Sequence, residues 1–168
     1  MRNKVSNTLL ATITVVSISL FLLLANVNII SFCSSTYENQ MNKLNVNRLR
    51  SIDKKLIAKQ LREIVTAKGD TQVRLSDGGS VFSEIEIYHL KDISDFFEII
   101  RILCIVSCVL SLLLLYLLKK KRYLILKLSM IFIIMFGVII CLTFRGSFFI
   151  FHLLSFRNNY WVLNPSTD

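Results

Sequence analysis

The sequence has only one proline and five glycines in 168 residues, and only 18% of its residues are charged, whereas 54% are hydrophobic. So little charge and so much apolar surface exclude an ordinary soluble domain of this length. Charge is absent altogether from three apolar runs, at residues 5–37, 102–118 and 128–144. A helix needs about 20 residues to cross roughly 30 Å of hydrocarbon, where only helices and closed barrels satisfy their backbone hydrogen bonds. Because the alternation of barrel strands is absent, the sequence predicts an all-α integral membrane protein with three transmembrane helices.

The sequence also lacks the motifs of several well-known sites. It contains no Ser-His-Asp nucleophile elbow, no glycine-rich phosphate loop, no HExxH helix and no CxxC pair. Its four cysteines do not have the spacing of metal ligands, so no metal cluster is expected.

The distribution of charge predicts the orientation of the chain in the membrane. Residues 32–98 carry ten basic and ten acidic residues, so the net charge of +9 lies elsewhere, chiefly near the N-terminus and in the basic run at residues 119–122. Under the positive-inside rule, both basic segments lie in the cytoplasm, which requires two crossings between them. The basic excess is therefore a topology signal that also suits anionic membrane lipid, and nucleic acid is not expected as a partner.

The resulting prediction is a single membrane domain over residues 1–168. Its parts are helix one at about 8–30, an outer loop at 32–98, helix two at about 99–118, a cytoplasmic turn at 119–122, helix three at about 123–144 and an outer interfacial tail at 145–168. A cleaved signal peptide is the alternative for the first run. The apolar core at residues 9–24 is at the upper limit of length for a signal peptide, and no small-x-small cleavage site follows it.

The outer loop is predicted to be a small, mainly helical element. Residues 51–69 have apolar side chains at helical spacing after Ser51, which predicts a capped amphipathic helix lying on the membrane surface or at the mouth of the helix bundle. Residues 77–80, Asp-Gly-Gly-Ser, predict the turn of a short hairpin. Ser83 has a glutamate three residues later, the capping-box pattern, so another helix begins there and runs towards helix two. Glu86, His89 and Asp92 lie near one face of that helix.

The two histidines, His89 and His152, are the main candidates for chemistry, and the predicted topology puts both on the outer side. His152 lies in an otherwise apolar run at the membrane boundary, where an ionisable side chain is costly and marks a functional candidate. Tyr160 and Trp161 are also typical of an interfacial aromatic belt. The residues alone leave acid–base chemistry, haem ligation and a purely structural role open.

Two segments resemble the family of bacterial lipoprotein intramolecular transacylases, which are small membrane proteins. In residues 82–93, Glu86, His89 and Asp92 are similar to the family's E-x-x-H-x-x-D segment just before its second membrane helix. The second segment comprises Phe151-His152, Asn159, Trp161, Leu163, Asn164-Pro165 and Asp168. Members of the family usually continue after the aspartate that ends this segment into a fourth membrane helix. This sequence ends at Asp168, so the resemblance implies a truncated form or a fragment.

The resemblance implies an enzyme of the bacterial cell membrane that moves the sn-2 acyl chain of a diacylglyceryl-modified lipoprotein to the amine of its N-terminal cysteine. It implies a cytoplasmic N-terminus, an extracytoplasmic site and no cofactor. His152 would be the general base and then the acid, and His89 would assist it. The residues implied in support or substrate positioning are Glu86, Asp92, Arg145, Asn159 and Trp161. The alternative is a non-enzymatic membrane scaffold or sensor that binds a protein partner through its outer loop.

Overall fold

The computed structural model describes residues 2–43, 51–67 and 72–162. These ranges contain α-helices and no strand. Three helical segments, Asn7–Phe32, Glu84–Leu117 and Lys119–Leu142, are long and apolar enough to cross a membrane. The predicted all-α membrane fold with three spans is therefore confirmed. In chain order the helices are α1 (Arg2–Phe32), α2 (Ser34–Lys43), α3 (Ser51–Ala67), α4 (Glu84–Leu117), α5 (Arg122–Leu142) and α6 (Phe144–Ser155), with a 3₁₀ turn at Lys119–Lys121.

Helix α4 is one continuous helix of 34 residues. It begins at the predicted capping box, in which the backbone N–H of Ser83 donates to Glu86 Oε2 at 2.8 Å and the backbone N–H of Glu86 donates to Ser83 Oγ at 3.4 Å. All charged residues of α4 precede residue 102, so only its second half has the composition of a membrane segment. The predicted loop helix thus continues into the predicted second span, and His89 lies in the polar half.

The chain divides into two compact units. The first, which we name the membrane unit, comprises Met1–Val27 and Ile100–Ile150. The second, the loop unit, comprises Asn28–Ile99 and Phe151–Asp168. Both histidines belong to the loop unit.

Buried serines join the helices of the membrane unit. Ser17 Oγ donates to the backbone carbonyl of Ser107 at 3.2 Å and lies 3.0 Å from Ser111 Oγ, which connects α1 to α4. Ser19 Oγ donates to the carbonyl of Ser129 at 3.3 Å, which connects α1 to α5. Small polar side chains let membrane helices approach closely and pair their hydroxyl groups.

The loop unit has a small apolar core of its own. Ile57 and Ile64 of α3 are 2% and 0% exposed, and Val73 is 1% exposed. The apolar side of α3 is therefore buried against protein within the loop unit. The sequence had instead predicted that it lies on the membrane surface or at the mouth of the helix bundle. An amphipathic pattern shows that a helix needs an apolar partner but does not say which one. The residues packed around this core are Met41, Leu61, Leu75, Val81, Phe82 and Leu90.

The predicted turn at residues 77–80 is present. Gly78 has φ = +88°, which glycine adopts at no steric cost, and its backbone N–H donates to the carbonyl of Leu75 at 3.0 Å. Among the described residues, the flanking segments form only an isolated antiparallel bridge between Arg74 and Ser80, not a hairpin of two strands.

The C-terminal segment predicted as an interfacial tail contains helix α6. A break at Thr143, with φ = −109° and ψ = 25°, separates α6 from α5. The hydroxyl and the backbone N–H of Thr143 both donate to the carbonyl of Ile139, at 2.7 and 2.9 Å. Helix α6 carries His152 near its C-terminal end.

Candidate active site

The two histidines lie close together in the loop unit. His89 is in the second turn of α4, and His152 is in the last turn of α6. Their ring centroids are 6.4 Å apart and their planes are inclined by 36°. Since a hydrogen bond needs about 3 Å between heavy atoms, the two rings are too far apart to bond directly.

The ring of Phe156 packs against both histidines. Its centroid lies 5.2 Å from that of His89 and 5.6 Å from that of His152, and the residue is only 9% exposed. Phe96 and Phe151 support it at 5.9 and 6.4 Å. Such edge-to-face and tilted pairs restrict the rings that take part in them. Phe156 therefore forms a rigid aromatic wall along the histidine pair.

Trp161 packs against His152. Its ring centroid is 4.9 Å from that of His152, with the planes inclined by 37°. The half-buried indole therefore contacts His152 directly, beyond any role in an interfacial aromatic belt. At the edge of the same region, Tyr88 and Tyr160 pair at 5.9 Å.

Asp92 lies three residues after His89 on α4 and is hydrogen-bonded to the segment after α6. Its Oδ2 accepts a hydrogen bond from Asn158 Nδ2 at 2.7 Å. Burial lowers the pKa of His89 below its usual value of 6.5, the negative charge of Asp92 opposes this shift, and the neighbouring His152 adds to it. Because burial dominates, the imidazole of His89 is uncharged near neutral pH.

The Nδ1 atom of His89 is buried, and no residue in the described part of the chain hydrogen-bonds to it. An unpaired buried polar atom costs about 1–3 kcal/mol, and proteins keep few of them outside functional sites. This atom is therefore a hydrogen-bonding group that the described residues leave unused.

The other predicted site residues have different positions. Glu86 Oε2 accepts from the backbone N–H and the hydroxyl of Ser83 at 2.8 and 3.0 Å, so this carboxylate caps α4 one turn before the histidine. Asn159 is exposed in the turn after α6. Arg145 is exposed near the start of α6 and belongs to the membrane unit. The predicted residues that the structure brings together are His89, His152, Asp92 and Trp161.

Sequence reasoning missed Phe156 and Asn158. The first had a signal, because a residue four positions after His152 lies on the same helical face. Asn158 had none that distinguished it from its neighbour Asn159, since the side-chain direction depends on how the chain turns after α6 ends.

A cleft of about 440 Å³ opens beside the histidine cluster, within the loop unit. Its walls include carboxylates, a guanidinium and aromatic rings, so it can hold a group with both polar and apolar parts. Among the described residues no cluster of three or more His, Cys, Asp or Glu side chains is suited to a metal ion. The lining residues that matter here are Asp92, Asp95, Phe96, Phe156, Arg157 and Asn158.

Comparisons with known proteins bear on the family and the fold of the chain. The family model described as "Lipoprotein intramolecular transacylase Lit" matches residues 12–168. The in meso structure of the membrane-integral transacylase Lit from Bacillus cereus is 22% identical, with a TM-score of 0.79 over 97% of this chain and 79% of that chain. A histidine-to-arginine variant of the same Bacillus protein is 21% identical, with a TM-score of 0.77 over 99% and 77% of the two chains. No curated protein matches the chain in sequence.

Proposed function

Because the chain belongs to the lipoprotein intramolecular transacylase family, we propose that it moves the sn-2 acyl chain of a diacylglyceryl-modified lipoprotein to the α-amine of the lipoprotein's own N-terminal cysteine. Family membership confirms the predicted enzyme class, a membrane acyltransferase that acts on lipoproteins. The observation that carries the proposed site is the pairing of two histidine rings 6.4 Å apart in a chain that has no other histidine.

The reaction forms one amide bond and breaks one ester bond. The α-amine has a pKa of about 8 and attacks the ester carbonyl in its neutral form, so its nitrogen must lose a proton while the departing glycerol oxygen gains one. His152 takes that proton and then delivers it to the leaving oxygen. Since amine and ester belong to one substrate, folding the lipid back on itself supplies the proximity, and no cofactor is required.

His89 assists as the uncharged partner of the pair. Its lowered pKa keeps it neutral near pH 7, which suits a residue that assists His152 rather than accepting the proton itself. The buried Nδ1 of His89 is a hydrogen-bonding group for the substrate. Asp92 moderates the pKa of His89 and helps to set its orientation.

The remaining residues support this pair. Trp161 restrains the imidazole plane of His152. Glu86 acts through the cap of α4, which sets the start of the helix that carries His89. Asn159 is an exposed hydrogen-bond donor of the loop unit, and it positions the substrate's carbonyl oxygens.

The protein is proposed to lie in the bacterial cell membrane with its N-terminus and its basic turn in the cytoplasm and its loop unit outside. The exposed basic turn at Lys119–Lys121 supports this orientation and suits contact with anionic membrane lipid. Cys33 is an exposed thiol of the loop unit whose pKa is lowered by hydrogen bonding with Ser35. A variant with Cys33 as its only cysteine should react with a membrane-impermeant maleimide in intact cells. With Cys33 removed and Lys120→Cys introduced, labelling should require lysis, and the reverse pattern would contradict the orientation.

The proposed activity is tested with purified protein and a synthetic lipopeptide that has a dipalmitoylglyceryl-cysteine N-terminus. Tandem mass spectrometry distinguishes the N-acylated lyso product from the substrate because the acyl chain moves to the amine. His152→Ala and His89→Ala should each lose most of the product. Undiminished product from both variants would refute the proposed site.

A further inference from the structure

The side chain of Asn158 is held at both ends. Its Nδ2 donates to Asp92 Oδ2 at 2.7 Å, and its Oδ1 accepts the backbone N–H of Tyr160 at 3.1 Å. The first bond reaches helix α4, whereas the second stays within the chain reversal after α6. A primary amide is suited to this double contact, because it donates to a carboxylate and accepts from a backbone N–H without adding charge.

Each of these hydrogen bonds is made with a residue near a different histidine. Asp92 lies one helical turn after His89 and is the charged side chain that influences its pKa most directly. The bond to the Tyr160 backbone forms an Asx turn, and the next residue in the chain is Trp161, whose ring lies 4.9 Å from that of His152. Asn158 therefore joins the partner of one histidine to the partner of the other.

We propose that Asn158 is a positioning residue for the acyl transfer, which holds the Asp92 carboxylate beside His89 and the Trp161 ring on His152 at the same time. This inference rests on the proposed function of the histidine pair. Asn158 acts through these neighbours rather than on the reacting atoms. Its replacement therefore affects turnover more than substrate binding.

The test compares Asn158→Leu, which removes both bonds, with Asn158→Asp, which nearly keeps the shape but places a second carboxylate against Asp92. The purified protein is assayed with the dipalmitoylglyceryl-cysteine lipopeptide. A displacement of about 1 Å at a catalytic group lowers rate by about 100-fold, so kcat should fall by about 10- to 100-fold in both variants. KM should stay within about threefold, as expected when ground-state binding is retained.

An exchanged pair separates positioning from simple attachment. Asp92→Asn combined with Asn158→Asp still allows an amide-to-carboxylate hydrogen bond between α4 and the chain after α6, so thermal stability should recover. The carboxylate is then no longer on α4 beside His89, so kcat should remain as low as in Asn158→Asp. Recovery of kcat together with stability would overturn the proposal, because attachment alone would then suffice.

A matched control is available in the same unit. Asn42 is an exposed amide whose Oδ1 accepts from Lys54 Nζ at 3.2 Å, and Asn42→Leu and Asn42→Asp should leave kcat unchanged. If Asn158→Leu folds poorly, the near-isosteric Asn158→Asp provides the measurement. Wild-type kcat in Asn158→Asp, with His152→Ala inactive, would refute the positioning role and leave the proposed function standing. Absence of the N-acylated lyso product from the wild-type protein would instead refute the proposed function itself.

Discussion

Phe156 is the side chain whose removal should most disturb the histidine pair. It is 9% exposed, and its ring packs between 5.2 and 6.4 Å from those of His89, His152, Phe96 and Phe151. Truncating a buried phenylalanine to alanine costs about 3–5 kcal/mol. Because a cleft borders this residue and lets the site partly relax, we expect about 3 kcal/mol for Phe156→Ala, at the lower end of that range.

The same change should lower kcat by about 100-fold, because the two imidazoles lose the wall that fixes their separation. Thermal unfolding in detergent gives the stability, and the lipopeptide assay gives kcat. Trp161 is the only tryptophan in the chain and lies on His152, so its fluorescence reports on the site directly. Its emission should change in Phe156→Ala while the protein remains folded.

Ile64→Ala is the matched control for stability. Ile64 is 0% exposed in the apolar core of the same unit, and its truncation should cost about 2–5 kcal/mol without moving the histidines. Its kcat and tryptophan emission should stay close to wild type at a temperature where the variant is folded. If Phe156→Ala also keeps kcat within about twofold of wild type, the reasoning that this ring organises the pair is refuted.

Three further changes test other parts of the structure. Asp92→Asn removes the negative charge that opposes the lowering of the His89 pKa, so the pKa of His89 should be below 6.5 in the wild type and lower still in the variant. An NMR titration measures both values, and the variant His152→Gln assigns the signals. A higher pKa of His89 in Asp92→Asn would contradict this expectation. Glu86→Ala removes the capping carboxylate of α4 and should cost about 1 kcal/mol in unfolding free energy, whereas no loss would exclude the cap. Ser17→Ala should cost about 0.6 kcal/mol in the membrane unit, and a loss well above the known maximum of about 1.7 kcal/mol would show that its hydroxyl does more than join helices.

The membrane spans were predictable from hydropathy because lipid offers the backbone no hydrogen-bond partners. The uncharged run at residues 102–118 had to be helical, and residues 102–117 form the second half of α4. The partner of α3 was not predictable, since Ile57 and Ile64 require only some apolar surface, and the loop unit supplies it from distant parts of the chain. Helix three was predicted to end at about residue 144, and helix α6, which follows Thr143, was not predicted.

The candidate site was predictable only in part for a similar reason. Helical spacing alone places His89 and Asp92 near one face, and the family resemblance suggested His152 as their partner. The role of Glu86 was ambiguous, because a glutamate three residues after Ser83 can cap a helix or face a histidine, and the nearby backbone N–H groups engage it here. Asn158 became recognisable only once the chain reversal after α6 was known.

A double-mutant cycle on His89 and His152 tests the central claim most directly, namely that the two imidazoles form one acyl-transfer site. Positioned acid–base groups contribute about 10²- to 10⁴-fold, so each alanine variant should lose activity in this range in the lipopeptide assay. Because residues that act as a unit are not additive, the double variant should be about as slow as the slower single variant. Losses that multiply, or full activity in either single variant, would contradict a shared site.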